Sequence, residues 1–236
     1  MNRTITRLAL AALAGHRRFW LLLAFPAGLA VLTVLVRVLA DDPAQAGDVL
    51  VGIGYTLVLP LLALVAATAV MGPEVDDGSI LYLLAKPVNR HAVALSKYVV
   101  ALGATLLLGT VPLLVLGLVV DGDEPRRWFA VWVAGVLCAF AYGAIFLALS
   151  TVWRHAVVAS LLFVLLWEGV LAGVFSGVDW LSVQMWGQRV AAALDPDLAG
   201  PDISLGWALL ASAVVTVGGV WFSGDRLRSF QLREDE

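Results

Sequence analysis

Six apolar runs, each about 20 residues long, constrain this chain more than any other feature in it. A helix rises about 1.5 Å per residue, so about 20 apolar residues cross the roughly 30 Å hydrocarbon core of a bilayer. The runs are Phe19–Leu39, Val49–Met71, Tyr98–Val120, Trp128–Ser150, Ala156–Gly177 and Leu205–Ser223. They are apolar on every side, whereas the strands of a membrane barrel alternate polar and apolar over about ten residues. The expected fold class is therefore all-α integral membrane, six transmembrane helices in a single transmembrane domain over residues 1–236. Composition agrees. The chain is 61% hydrophobic and 14% charged, against about 45–50% and about 25% in soluble domains. The net charge of −3 gives no footing for nucleic acid.

The stretch Leu8–Gly15 is apolar enough for the core of a signal peptide. Arg17 and Arg18 follow it, and a much longer apolar run then begins, so the start is read as retained. Residues 1–18 read as an interfacial helix, with Ile5, Leu8, Ala12 and Leu13 on one face and Arg3 and Arg7 on another. A frayed tail is the alternative. Lys and Arg set the orientation. Eleven of them (Arg3, Arg7, Arg17, Arg18, Lys86, Arg90, Lys97, Arg154, Arg226, Arg228, Arg233) fall on one side, against Arg37, Arg126, Arg127 and Arg189 on the other. This predicts that both termini are cytoplasmic in a multi-pass protein of a bacterial or archaeal cell membrane. Trp20, Trp128, Trp153, Trp207 and Trp221 fall at span ends, where indole rings suit the headgroup layer. Pro26, Pro60 and Pro112 lie inside spans and predict kinks.

The fifth span holds an acid, Glu168, near its middle. A carboxylate there costs roughly 2.5–3.5 kcal/mol on insertion scales. Three roles are open: a structural hydrogen bond to another helix, a place in a substrate path or gate, or proton coupling. The same span carries Gly169, Gly173 and Gly177, a stripe that lets another helix approach, within this chain or between two copies. The outer segment 178–204 repeats Val183, Trp186, Val190 and Leu194 at helical spacing, with Asp195-Pro196 as a stop. An amphipathic helix resting on the outer interface fits, and so does a partly re-entrant one. Cys138 is the sole cysteine and reads as a small buried residue, so neither a disulfide within the chain nor a metal site is expected.

The segment between the second and third spans carries the most information. From Gly72 to Lys97 it is acidic, then apolar, then basic. Ser79 is a good helix cap and Lys86-Pro87 a stop, which predicts a short helix over Ile80–Ala85. So short a helix does not stand alone in water and needs a surface to dock on. A second helix is expected from about Asn89 or Arg90 into the third span. In Glu74, Asp77, Gly78, Ser79, Ile80, Leu83, Leu84, Lys86, Pro87, Val88, Asn89 and Arg90 the loop resembles that of the permease subunits of type 2 ABC exporters. Ser79 stands where that family usually has Thr and keeps the hydroxyl. Lys97 and the string Leu166-Trp167-Glu168-Gly169 also fit, as does the six-span plan.

The resemblance implies a permease that forms the translocation path of an ATP-driven exporter. Its loop over residues 74–90 would be a coupling helix between spans 2 and 3. That helix would dock on a separate cytoplasmic ATPase, present in two copies, through Glu74, Asp77, Gly78, Ser79, Ile80, Leu83, Lys86, Pro87 and Arg90. It also implies a second permease copy or a paralogue. ATP and Mg would belong to the partner, because no Gly-x-x-x-x-Gly-Lys-Ser/Thr string occurs in this sequence. The chain would have no cofactor and no catalytic residue of its own. Two other classes compete. An intramembrane enzyme lacks its constellation, since neither His-Glu-x-x-His nor Gly-x-Ser-x-Gly is present. A secondary transporter or channel driven by an ion gradient would use Glu168, but it has no need of a docking loop at 74–90.

Overall fold

The computed structural model describes residues 8–10, 13, 16–40, 43–76, 90–153, 155–171, 177 and 179–229. Among them there is no strand. We number seven helices. The first, α1, spans His16–Ala40. Next, α2 runs through Pro43–Val49, the wider π turns of Leu50–Val58, and Leu59–Asp76. Then α3 joins Arg90–Thr105, π turns at Leu106–Thr110, and Val111–Val120. After it come α4 (Pro125–Val152) and α5, which is Ala156–Leu162 followed by π turns over Phe163–Leu171. A 3-10 turn, Asp179–Leu181, leads to α6 (Val183–Leu194), and α7 spans Leu205–Ser229.

Five helices are long and apolar enough to cross a membrane: Trp20–Ala40, Ala44–Met71, Arg90–Val120, Pro125–Val152 and Leu205–Leu227. The fifth apolar run is helical over Ala156–Leu171, and residues 172–176 of the expected span lie outside the described residues.

The centre of the bundle is α4. It packs against α7, α2 and α6, and 67% of its most apolar window is buried. Small residues allow this. A β-carbon on Gly219 of α7 would meet the Ala144 carbonyl oxygen at 3.0 Å, so the two backbones touch there. By contrast, α1 and α7 are only 17% buried over their spanning windows. Val31, Val38, Val214 and Val217 point outward from them, as suits lipid-facing helices.

Two of the three span prolines are met by widened turns. The Leu59 amide reaches back five residues to the Gly54 oxygen just before Pro60, and the Val111 amide to the Leu106 oxygen just before Pro112. A proline removes one donor and crowds the carbonyl four residues back, and π turns re-space the ladder at that point. Pro26 lies within the α-helical course of α1.

One sequence expectation changes here. Trp128 is not a headgroup residue: it is fully buried, stacked over Gly117 with its Nε1 donating to the Asp121 oxygen at 3.0 Å. Trp20, Trp153 and Trp221 are more than half exposed. Near the N-terminus the packed pair is Ala9 and Leu13, while Leu8 is half exposed. Ile5 and Ala12 lie outside the described residues.

Lys97 is fully buried where α3 meets α2, and its Nζ donates to the Val70 oxygen at 3.0 Å. Lys97→Ala deletes that bond and leaves a void. We expect it to destabilise the protein by about 2–4 kcal/mol, read as a lower thermal midpoint in detergent.

Candidate functional site

The polar groups of the bundle meet where α5, α6, α2 and α4 come together. Glu168, on α5, is 4% exposed. Its Oε1 accepts from the Val183 amide at 2.9 Å, and its Oε2 accepts from Ser182 Oγ at 2.5 Å and from the Gln184 amide at 3.4 Å. These donors form the start of α6. The first amides of any helix lack partners within it, and the aligned peptide dipoles make that end positive. A carboxylate is the matching cap, so three bonds offset the desolvation of Glu168. Ser182 is the N-cap residue, in extended conformation, and its Oγ also accepts from the Met185 amide at 3.3 Å.

The other end of α6 carries the opposite charge. Arg126 Nε donates to the Leu194 oxygen at 2.9 Å, a cation at the negative end of the dipole. One turn back, Arg189 Nε donates to the Ile203 oxygen at 2.8 Å. Asp195 ends the helix in extended conformation ahead of Pro196.

This pairing fixes the direction of α6. Its first turn lies against Cys138, midway along the 28-residue α4, and its last residue lies against Arg126 at one end of α4. So α6 runs back along half of α4 and buries Val183, Gln184, Trp186, Gly187, Val190 and Ala191. Glu168, twelve residues into α5 from Ala156, lies at the same level.

Around the cap, Cys138 Sγ donates to the Val183 oxygen at 3.3 Å and lies 3.1 Å from Tyr55 Oη. Tyr55 Oη donates to the Gln184 oxygen at 3.2 Å. Gln184 Nε2 donates to the Thr56 oxygen at 2.8 Å. Thr56 is four residues before Pro60, so the carbonyl that proline leaves without a helical donor is the one Gln184 takes up. Tyr142, one turn along α4 from Cys138, is fully buried on the same side. Above the junction, the Trp180 oxygen accepts from Trp186 Nε1 at 2.9 Å and from Trp207 Nε1 at 2.8 Å, tying the entry of α6 to α7.

Glu168 is the sequence candidate that the structure brings into this junction. Tyr55, Thr56, Cys138, Tyr142, Ser182 and Gln184 join it, and sequence reasoning did not single them out as site residues. The signal was available in part: Tyr55 and Thr56 are polar groups inside a span, just before Pro60.

Of the glycine stripe, Gly169 and Gly177 are described and Gly173 is not. A β-carbon on Gly169 would meet only the Val164 oxygen at 3.6 Å, and one on Gly177 nothing within 4 Å. Close approach occurs at Gly187, where a β-carbon would fall 1.9 Å from Tyr55 Oη and 2.5 Å from Cys138 Sγ.

Of the loop candidates, Glu74 falls in the last turns of α2, and Arg90 opens α3. Asp77, Gly78, Ser79, Ile80, Leu83, Lys86 and Pro87 lie outside the described residues. The family model described as ABC-2 family transporter protein matches residues 16–184, from the start of α1 to the first turn of α6. No curated protein matches the chain.

Proposed function

Given that the chain belongs to the ABC-2 transporter family, as a multi-pass membrane subunit that is not itself the ATPase, we propose that it is the permease of an ATP-driven exporter. The single observation that carries this is the family match across residues 16–184, which takes in the loop between α2 and α3. In this reading the partner ATPase, in two copies, binds ATP and Mg. Two permeases, identical or paralogous, enclose the path in a bacterial or archaeal cell membrane. Both termini are cytoplasmic. Six crossings result when α5 and the re-entrant α6 together serve as the fifth.

The coupling contact is residues 74–90, through Glu74, Asp77, Gly78, Ser79, Ile80, Leu83, Lys86, Pro87 and Arg90. Supporting this, α2 continues to Asp76 and α3 starts at Arg90, both beyond the apolar runs, with Lys97 bonded across them to Val70. A stroke on the loop therefore acts on two braced rods. The rival reading, an ion-driven carrier using Glu168, has less support because both oxygens of that carboxylate are engaged by α6.

Asp77→Lys and Gly78→Trp, both outside the apolar runs, should leave the permease folded while it loses its ATPase. Copurification from gently solubilised membranes checks this. The expected result is a stoichiometric soluble ATPase with the wild-type chain and none with Asp77→Lys. An ATPase-free oligomer from wild type, under conditions that keep other exporters intact, sinks the assignment.

A further inference from the structure

We propose that Gln184 is the positioning residue through which movement of α2 releases α6, the half-helix that seals the outer half of the bundle. The proposal rests on the transport reading above. Gln184 grips α2 twice: its Nε2 holds the Thr56 oxygen at 2.8 Å, and its own carbonyl takes the Tyr55 hydroxyl at 3.2 Å. Both contacts fall within the π turns Leu50–Val58, directly before Pro60. Proline and π turns are where helices bend. Below that point α2 runs unbroken to Asp76, at the edge of the coupling loop. A push on the loop that changes the bend at Pro60 therefore shifts Tyr55 and Thr56 together and pulls on the first turn of α6.

The rest of α6 is arranged to let go as a unit. It is clamped at its ends, by Glu168 and by Arg126. Between α6, α2 and α4 lies a cavity of about 110 Å³ lined by Val51, Tyr55, Val131, Ala134, Gln188 and Ala191. Its lining is mainly apolar, so few polar bonds resist separation on that side.

The chain supplies its own reporter. Cys138, the sole cysteine, is 1% exposed and lies under Val183 and Gly187 of α6. The test uses the full permease–ATPase complex in vesicles and a membrane-impermeant maleimide on the outer side. Wild-type Cys138 should label slowly without ATP and faster during turnover. Gln184→Leu, similar in size but without the donor, should label roughly tenfold faster without ATP, the ratio one buried hydrogen bond supports. Pro60→Ala returns a helical donor to the Thr56 oxygen and strengthens α2 itself. It should nevertheless speed labelling in the same direction.

If Gln184→Leu only lowers the thermal midpoint and Pro60→Ala leaves labelling slow, Gln184 is merely structural and the proposal falls. If wild-type labelling ignores ATP while transport and ATPase activity proceed, the proposal falls and the exporter reading stands. If no ATPase copurifies and ATP drives no transport, both fall.

Discussion

Glu168→Ala destabilises the protein by roughly 3–5 kcal/mol, because several buried donors lose their acceptor at once, at about 1–3 kcal/mol each. The substitution strips the partner from Ser182 Oγ and from the Val183 and Gln184 amides together. Alanine offers no acceptor in its place, and each orphaned buried donor carries a penalty of about 1–3 kcal/mol. The positive end of α6 also loses its counter-charge. Glu168→Gln keeps one acceptor oxygen and should cost about half as much. Thermal unfolding in detergent checks the order wild type, then Gln, then Ala. The comparison also separates the open roles of Glu168. If Glu168→Gln folds well but transport loses its dependence on the proton gradient, the carboxylate carries protons and the ion-driven reading gains. If Glu168→Gln alters neither stability nor transport, Glu168 is neither cap nor gate.

Gly187→Ala should be among the most damaging single-methyl changes at the described glycines. The added β-carbon would fall 1.9 Å from Tyr55 Oη and 2.5 Å from Cys138 Sγ. Both neighbours belong to buried, bonded side chains and cannot swing away without breaking contacts to Gln184 and Val183. Overpacking costs about 1–3 kcal/mol where side chains can adjust. Here α6 itself must move, so the upper end is expected, with Cys138 becoming reactive toward maleimide. Gly169→Ala is the control. Its β-carbon meets only an ordinary contact at 3.6 Å, and its melting point should match wild type within error. Equal losses at the two sites would mean that the stripe packs against a second copy of the chain and that α6 is not the tight element.

Much of the architecture was legible because burial in lipid demands long apolar runs whatever the helices pack against. The fourth run, Trp128–Ser150, falls inside α4 by two or three residues at each end. The end of α6 was also readable, from Asp195-Pro196 as a stop. One misreading has a plain cause. Trp128 has the sequence position of a headgroup residue, but Gly117 on a neighbouring helix gives its ring a buried seat.

By itself the sequence determined that this chain lives in a membrane, where its helices run, and that Glu168 needs a partner. Those follow from length, hydrophobicity and the energetic penalty of a buried charge, which are local properties. Only the tertiary structure decided that the partner is the start of α6, that α6 turns inward along α4, and that Gln184 takes up the carbonyl freed by Pro60. An amphipathic helix shows the same periodicity whether its polar face meets water or a buried carboxylate, so its pattern cannot say which way it lies. That is set by Glu168 at one end, 15 residues from Val183 in the chain, and by Arg126 at the other, 68 residues from Leu194, groups that meet α6 only when the bundle closes.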